Sequence, residues 1–419
     1  MFRPLRSLLH HLVRRGNLTI YDSRGVAHKF GDDSGDPVVA RFTDSRLEWQ
    51  LFADPQLALG EGFMDGRLVM ERGRIYDFLA VVLAESETLG LPAWSRSIDA
   101  LRYLTRHVAQ FNPTGRARAN VKHHYDITGA IYDLFLDQDR QYSCAYFTPG
   151  ADLEAAQLAK KRHIAAKLRL ESGMRVLDIG SGWGGLGLYL AQSFGADVTG
   201  VTLSVEQLRI ARERAAKAGI EDTLRFVMED YRVHQGRYDR IVSVGMFEHV
   251  GISHYRTYFR RVSDLLTDDG VALIHTIGRS EPPTATNAFI RRHIFPGGYI
   301  PALSEVLAAT ERARLIATDV EVLRLHYAET LKAWRERFVA RREEAIELMD
   351  ERFCRMWEFY LAASEAAFRF QNLVVFQIQL AKRIGTLPII RDYMVDDERR
   401  IAARERRSRD GEQRPRLAG

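Results

Sequence analysis

The stretch MRVLDIGSGWGGLGLYLAQSF, residues 174–194, decides the fold. Its first part is a short apolar run, its last part places apolar residues at helical spacing, and glycines stand between them at 180, 182, 184 and 185. A buried strand that turns through glycines into a helix is where an open α/β sheet holds its ligand. Glycine is needed because the backbone must turn sharply and let a ligand lie against it.

Outward from this stretch the pattern repeats. ADVTGVTL (196–203), TLRFVME (223–229), YDRIVSVG (238–245) and GVALIHTIG (270–278) read as strands, with helices predicted at 186–194, 205–219 and 255–266. Buried strands separated by helices predict a doubly wound parallel α/β sheet. Residues 371, 376 and 379 (Gln371, Phe376, Gln379) are expected in a long C-terminal helix, as scaffold. The last residues, rich in arginine, read as a disordered tail.

The first hundred residues have a different character. Leu5, Leu8, Leu9, Leu12 and Val13 mark one face of a basic amphipathic helix, which suits either a headgroup layer or packing on its own domain. Residues 18–25, 37–44 and 46–53 read as strands, and 57–70 and 75–89 as helices, forming a small separate α+β module that ends near Pro113. The expected organisation is an N-terminal lipid- or membrane-associated domain over 1–114, a catalytic domain over 115–395 and a basic tail over 396–419.

With 419 residues, 46% hydrophobic and 27% charged, the chain has ordinary globular composition. No apolar run approaches the ~20 residues needed to cross a bilayer, and no signal peptide is legible, so a cytoplasmic location is expected. The cysteines, Cys144 and Cys354, form no CxxC, which argues against a disulfide framework and against a metal site. A net charge of +5 gathers at Arg3, Arg6, Arg14 and Arg15, between Arg102 and Lys122, and beyond Arg399. Each segment suits a negative surface.

The glycine pattern also satisfies the dinucleotide GxGxxG, a weak match. Asp178 stands where a carboxylate can face a ligand's charged amino-acid end, and the second strand ends in Gly200–Ser204 without an acid for a nicotinamide cofactor's ribose. A sulfonium cofactor fits better. Asp230 offers a carboxylate for an adenine amino group, and Tyr231 offers a ring to stack on it.

The pattern Asp178-x-Gly-x-Gly-Trp-Gly, followed by Gly200-Val-Thr-Leu-Ser and Glu229-Asp-Tyr, resembles the class I methyltransferases, and within them the cyclopropane fatty acid synthase family with its mycolic acid relatives. The likeness extends over His124-Tyr125-Asp126, Tyr142 to Phe147, Gly245 to Gly251, His275 to Gly278, Phe295 to Gly298 and His326 to Leu331, in the family's order. The first hundred residues, with Gly60-Glu-Gly-Phe-Met-Asp-Gly66, resemble the N-terminal domain of the phospholipid-acting branch.

The resemblance implies a class I methyltransferase (Rossmann-like) seven-stranded sheet and S-adenosylmethionine as cofactor. It places the cofactor at Tyr125, Tyr142, Ser143, Asp178, Gly180, Gly182, Gly184, Thr202, Leu203, Gln207, Asp230 and Tyr231. It also implies a bound bicarbonate as base, held by Glu248, His275 and Tyr327 with the backbone at Cys144 and Ile277. The implied reaction adds a one-carbon unit to the double bond of an unsaturated phospholipid acyl chain, giving a cyclopropane. A histidine and an acid so placed can share a proton and orient a small oxyanion. Cys144 invites a nucleophile reading, but a thioether adds nothing to this reaction, so a pocket-lining and backbone role is expected. The loop around Pro296, with Phe289, Ile290, Phe295 and Tyr299, suits either an acyl-chain wall or core.

The resemblance further suggests a homodimer, peripherally associated with the inner face of the cytoplasmic membrane. Three alternatives stand beside this reading. A methyl- or methylene-branched product keeps the cofactor. A nucleic-acid methyltransferase suits the basic balance, but the motif of base amino-methylation and any RNA-binding motif are missing, so no nucleic acid partner is expected. A non-catalytic membrane-binding protein would bind cofactor without turnover.

Overall fold

The computed structural model describes residues 1–85 and 129–412, with side chains through 407. The expected boundary at 114/115, the basic segment 102–122 and Tyr125 lie outside the described residues.

Two sheets organise the chain. In the smaller, β1 (Asn17–Tyr21), β2 (Ala27–Gly31), β3 (Val38–Phe42) and β4 (Leu68–Arg72) lie in the order β2-β1-β3-β4. The larger contains β5 (Arg175–Ile179), β6 (Asp197–Thr202), β7 (Leu224–Met228), β8 (Tyr238–Val244), β9 (Leu266–Arg279), β10 (Ile316–Leu323) and β11 (Leu373–Ala381). Its order is β10-β11-β9-β8-β5-β6-β7. The strands from β7 through β9 are parallel, whereas β11 runs antiparallel to both neighbours. This is the seven-stranded doubly wound sheet of the class I methyltransferases, and its central parallel strands β5 and β8 are buried on both faces because helices cover both.

Four local expectations are corrected. Residues 46–53 are not a strand: the helix Ser45–Ala53 starts where the Asp44 side chain accepts from the Leu47 N–H at 2.9 Å, and Leu47 and Leu51, one turn apart, are buried. The helix expected over 57–70 stops at Met64, and after Asp65 and Gly66, whose φ is +71°, the chain continues as β4. Gln371, Phe376 and Gln379 are not helical either. The helix Glu351–Phe370 ends at Gln371, Asn372 takes φ +53°, and β11 follows. The buried glutamines of β11 masked a strand whose polar side chains find tertiary partners: Gln379 donates to Tyr393 Oη at 2.8 Å, and Gln377 pairs with His275.

The fourth correction concerns the tail. The helix Asp392–Glu412 overturns disorder for residues 396–412. Met394, Glu398, Ile401 and Glu405 recur at helical spacing on one face. Met394 and Ile401 are buried, Glu398 meets His163 Nδ1 at 3.0 Å, and Glu405 accepts from Arg162 and Tyr189, each at 2.7 Å. A count of arginines does not see that face.

The N-terminal helix Arg3–Leu12 turns Leu5, Leu9 and Leu12 into its own domain and leaves Arg3 and Arg6 exposed. The small sheet is not packed apart from the large one. The helices Pro55–Met64 and Ile75–Leu83 lie on Glu351–Phe370, and one apolar core runs from Leu5 through Phe78 to Trp357. Gly60 permits this docking, because a Cβ there would stand 2.3 Å from the Phe289 ring. No helix among the described residues is long and apolar enough to cross a membrane.

Deleting residues 396–419 is expected to lower the melting temperature by about 5 °C, since it removes the buried Ile401 and takes from Arg162 and Tyr189 their acceptor Glu405. Thermal unfolding of the truncated chain checks this, and an unchanged midpoint contradicts the docked helix.

Candidate active site

The sheet order reverses between β5 and β8, and a cleft opens there beyond the strand ends. Gly180 and Gly184 both take positive φ, +84° and +82°. A Cβ on Gly180 would come within 2.8 Å of Met246, and one on Gly184 within 2.7 Å of Phe226. At Gly182 a Cβ would meet nothing, so the cleft is open above it.

Tyr142, Ser143, Asp178, Gly180, Gly182, Thr202, Leu203, Gln207, Asp230 and Tyr231 line the cleft together. Gly184 does not: it begins the helix Gly185–Phe194 against Phe226, and Gly185 lines the cleft instead. Thr202 Oγ1 donates to Gln207 Oε1 at 3.2 Å, and Tyr142 stacks on Trp334 with centroids 5.2 Å apart. Both Asp230 oxygens already accept from Arg232, at 2.9 and 2.6 Å, so an adenine amino group would have to share that carboxylate. Sequence reasoning missed Trp183, Arg232 and His249 in the lining. His249 was within reach, since it directly follows Glu248 in the same motif; burial pushes its imidazole down to about 4.

Asp178 is the polar floor. One carboxylate oxygen, Oδ2, is buried without a partner, and burial pushes the group up to about 7 against the opposing charge of Lys160. A cation arriving in the cleft completes it.

Beside the cleft lie the residues expected around a small oxyanion. His275 is opposite Val244 on β8 and Gln377 on β11. The amide nitrogen of Gln377 lies 3.1 Å from Nδ1. With the amide nitrogen facing it, Nδ1 accepts and Nε2 carries the proton; the reverse amide orientation would exchange the two roles. Burial, reinforced by Lys160, holds the imidazole neutral, and Nε2 has no partner. Glu248 follows β8 in the turn Phe247–His249. Its Oε1 accepts from the Ile277 N–H at 2.6 Å, while Oε2 is buried and unpartnered. Burial pushes this carboxyl up to about 7.

The acid and the histidine therefore do not share a proton directly, because each is held by a different group on β9 or β11. Ile277 N–H orients Glu248 rather than standing open. Tyr327 lies on the helix His326–Ala340, packed against Phe368 and edge-on to Trp334, the ring on which Tyr142 stacks. Cys144 is buried with its thiol donating to the Ala145 carbonyl at 3.3 Å, and burial pushes its thiol far up, which does not suit a nucleophile; unlike Tyr142 and Ser143 it does not line the cleft. In the loop around Pro296, Phe289 and Tyr299 are core, whereas Phe295 stands 5.8 Å from His249 and 5.9 Å from Tyr360.

A family model described as mycolic acid cyclopropane synthetase matches residues 113–378. The chain belongs to the mycolic acid cyclopropane synthetase family. Among members of this family, the cyclopropane-fatty-acyl-phospholipid synthase of Escherichia coli is 38% identical over 335 residues, 80% of this chain and 85% of that protein. The tuberculostearic acid methyltransferase UfaA1 of Mycobacterium tuberculosis is 40% identical over 307 residues, 68% of this chain and 71% of that one. The solved structure of the mycolic acid cyclopropane synthase CmaA1 complexed with SAH and CTAB superposes with a TM-score of 0.61 at 32% identity, covering 64% of this chain and 99% of that one. As a member of the mycolic acid cyclopropane synthetase family, the chain is an S-adenosylmethionine-dependent enzyme.

The raised Glu248 carboxyl has a stability consequence. Its folded value, about 7, exceeds its ordinary 4.5, so the stability it contributes is present below pH 4.5 and lost as pH rises through 7. The loss is on the order of 3 kcal/mol at pH 8. Glu248→Gln should raise the melting temperature of the ligand-free protein by several degrees at pH 8 and hardly at all at pH 5. Equal shifts in thermal scans at the two pH values would contradict a carboxyl raised by burial.

Proposed function

We propose that the enzyme transfers the methyl carbon of S-adenosylmethionine to the cis double bond of an unsaturated phospholipid acyl chain and closes a cyclopropane there. The observation that carries this reading is the pair of buried atoms without partners, Glu248 Oε2 and His275 Nε2, at the ends of β8 and β9 beside the cleft. A neutral imidazole N–H and a carboxyl that holds its proton to about pH 7 both offer donors to a small oxyanion, which fits bicarbonate.

An isolated alkene is a weak nucleophile, so it must be held against a strong electrophile and kept from water. S-adenosylmethionine supplies that electrophile, and bicarbonate, when bound, supplies a base for the methyl proton. The chain's own residues do the rest. Asp178 offers its open oxygen to the cofactor's ammonium, and Thr202, Gln207 and Ser143 present polar groups along the cleft. Ile277 N–H and Gln377 fix Glu248 and His275. Tyr327 would complete the anion's set of donors. The rings of Phe295, Tyr142 and Tyr360 border this region and exclude water.

For substrate access, we propose that the exposed Arg3, Arg6, Arg14 and Arg15 meet an anionic membrane surface at about 1 kcal/mol each. A homodimer would present two such faces together. The apolar side of the first helix is spent on its own domain and is not part of that contact.

A second reading, a methyl-branched product, is favoured by the name and similarity of the tuberculostearic acid methyltransferase. Incubation with unsaturated liposomes, labelled S-adenosylmethionine and bicarbonate, followed by mass spectrometry of the acyl chains, separates the two. A labelled chain that resists mild hydrogenation is expected, reduced about 100-fold or more in Glu248→Gln. A labelled chain without a ring supports branching, and no labelled lipid removes both readings.

A further inference from the structure

His163 is buried on the helix Leu153–Lys167. Its two ring nitrogens face carboxylates that come from two different elements. Nε2 stands 2.7 Å from Glu321 on β10, and Nδ1 stands 3.0 Å from Glu398 on the C-terminal helix Asp392–Glu412. The ring stacks on Tyr146 with centroids 4.3 Å apart, and Tyr146 also stacks on His326 at 4.7 Å. One imidazole thus joins the helix, the edge of the large sheet and the end of the chain.

A neutral imidazole has one N–H and one lone pair. Between two carboxylates it can donate to only one of them, and its lone pair then faces the oxygen of the other. The imidazolium, which donates from both nitrogens, satisfies this geometry. Burial works against the cation, but the hydrogen bonds to Glu321 and Glu398 outweigh it and raise the imidazole above its ordinary 6.5. The two acids are held differently. Glu321 also accepts from the Lys167 ammonium and cannot withdraw from the ring, whereas Glu398 has no second partner among the described residues and can turn to water. After the first proton is lost, the one that remains therefore stays on Nε2, and the contact with Glu398 opens.

We propose that His163 is a pH-sensitive latch on the C-terminal helix: its imidazolium ties Glu398 to Glu321 of β10, and loss of a proton releases Glu398 and loosens that helix. Met394, Ile401 and Glu405 keep their contacts, so the opening is local to the turns around Glu398. The other charged and titratable groups about the ring are Lys167 on its own helix, Asp319 on β10 with its partner Arg391, Tyr146, and His326, Arg324 and His275 beyond. Burial pushes Tyr146 up to about 12 and lowers His326, so both rings are neutral between pH 6.5 and 9. Because the folded value of His163 is raised, the latch contributes fully below pH 6.5 and is lost as pH rises through that folded value. The proposal is independent of the cofactor and of the lipid product.

The test is hydrogen exchange of the backbone amides of residues 396–407 in the full chain from pH 6 to 9, corrected for the intrinsic exchange rate. In the wild type, protection should fall about tenfold across this range, the size of one hydrogen bond to a charged group. Lys160, also buried on the helix Leu153–Lys167, loses its proton near 8, but its ammonium donates to Gln141 and Ser143, and the variants separate the two groups. Glu398→Gln places an amide that pairs with either state of the ring, so its protection should not change with pH. His163→Gln, which does not titrate, should show the same flat profile. If His163→Gln does not fold, Glu398→Gln, at a partly exposed position, carries the test alone. A flat profile in the wild type, or an undiminished fall in Glu398→Gln, would overturn the proposal.

Discussion

A polar atom taken out of water without a partner costs free energy, so one that stands at the edge where a sheet holds its ligand is a place for the ligand to complete. Here Asp178 Oδ2, Glu248 Oε2 and His275 Nε2 stand in that condition at or near the same edge of the sheet. Each belongs to an otherwise well-held side chain. The backbone of Ile277 fixes Glu248, Gln377 fixes His275, and the glycine turn leaves the space above Asp178 open. The fold spends its apolar core on keeping these groups in place: buried strands set their spacing, and helices on both faces keep water away.

The edge is organised by strand order. Reversal between β5 and β8 separates the loops after those strands and opens the cleft. The antiparallel strand β11 then lies against β9 and brings Gln377 to His275, a contact the parallel part of the sheet does not supply. The N-terminal helices dock on the larger domain through Phe289, seated on Gly60, and through Glu61, which meets His293 at 3.0 Å. The small module is thus fastened to the large one and is also a candidate membrane contact.

The five parallel strands were legible because each is a continuous apolar run bounded by turn residues. β11 was not, since Gln377 and Gln379 look like surface positions until their partners are known. Residues 46–53 looked like a strand because the capping role of Asp44 was not weighed against the aromatic and branched residues that follow. In the site, Asp178 and the turn glycines followed from chemistry, while Glu248, His275 and Tyr327 came from family likeness and their order along the chain. The sequence could not show that Ile277 N–H is taken by Glu248, that Arg232 occupies Asp230, or that Lys160 is buried. These are facts of packing between segments far apart in the chain.

The central claim is that the open donors of Glu248 and His275 serve a small oxyanion on which ring closure depends. Product formation by the wild-type enzyme should therefore be measured in buffer depleted of carbon dioxide, with and without added bicarbonate. The account predicts that the rate falls by about tenfold or more on depletion and returns on addition, as removal of a positioned general base requires. A rate indifferent to bicarbonate would contradict it.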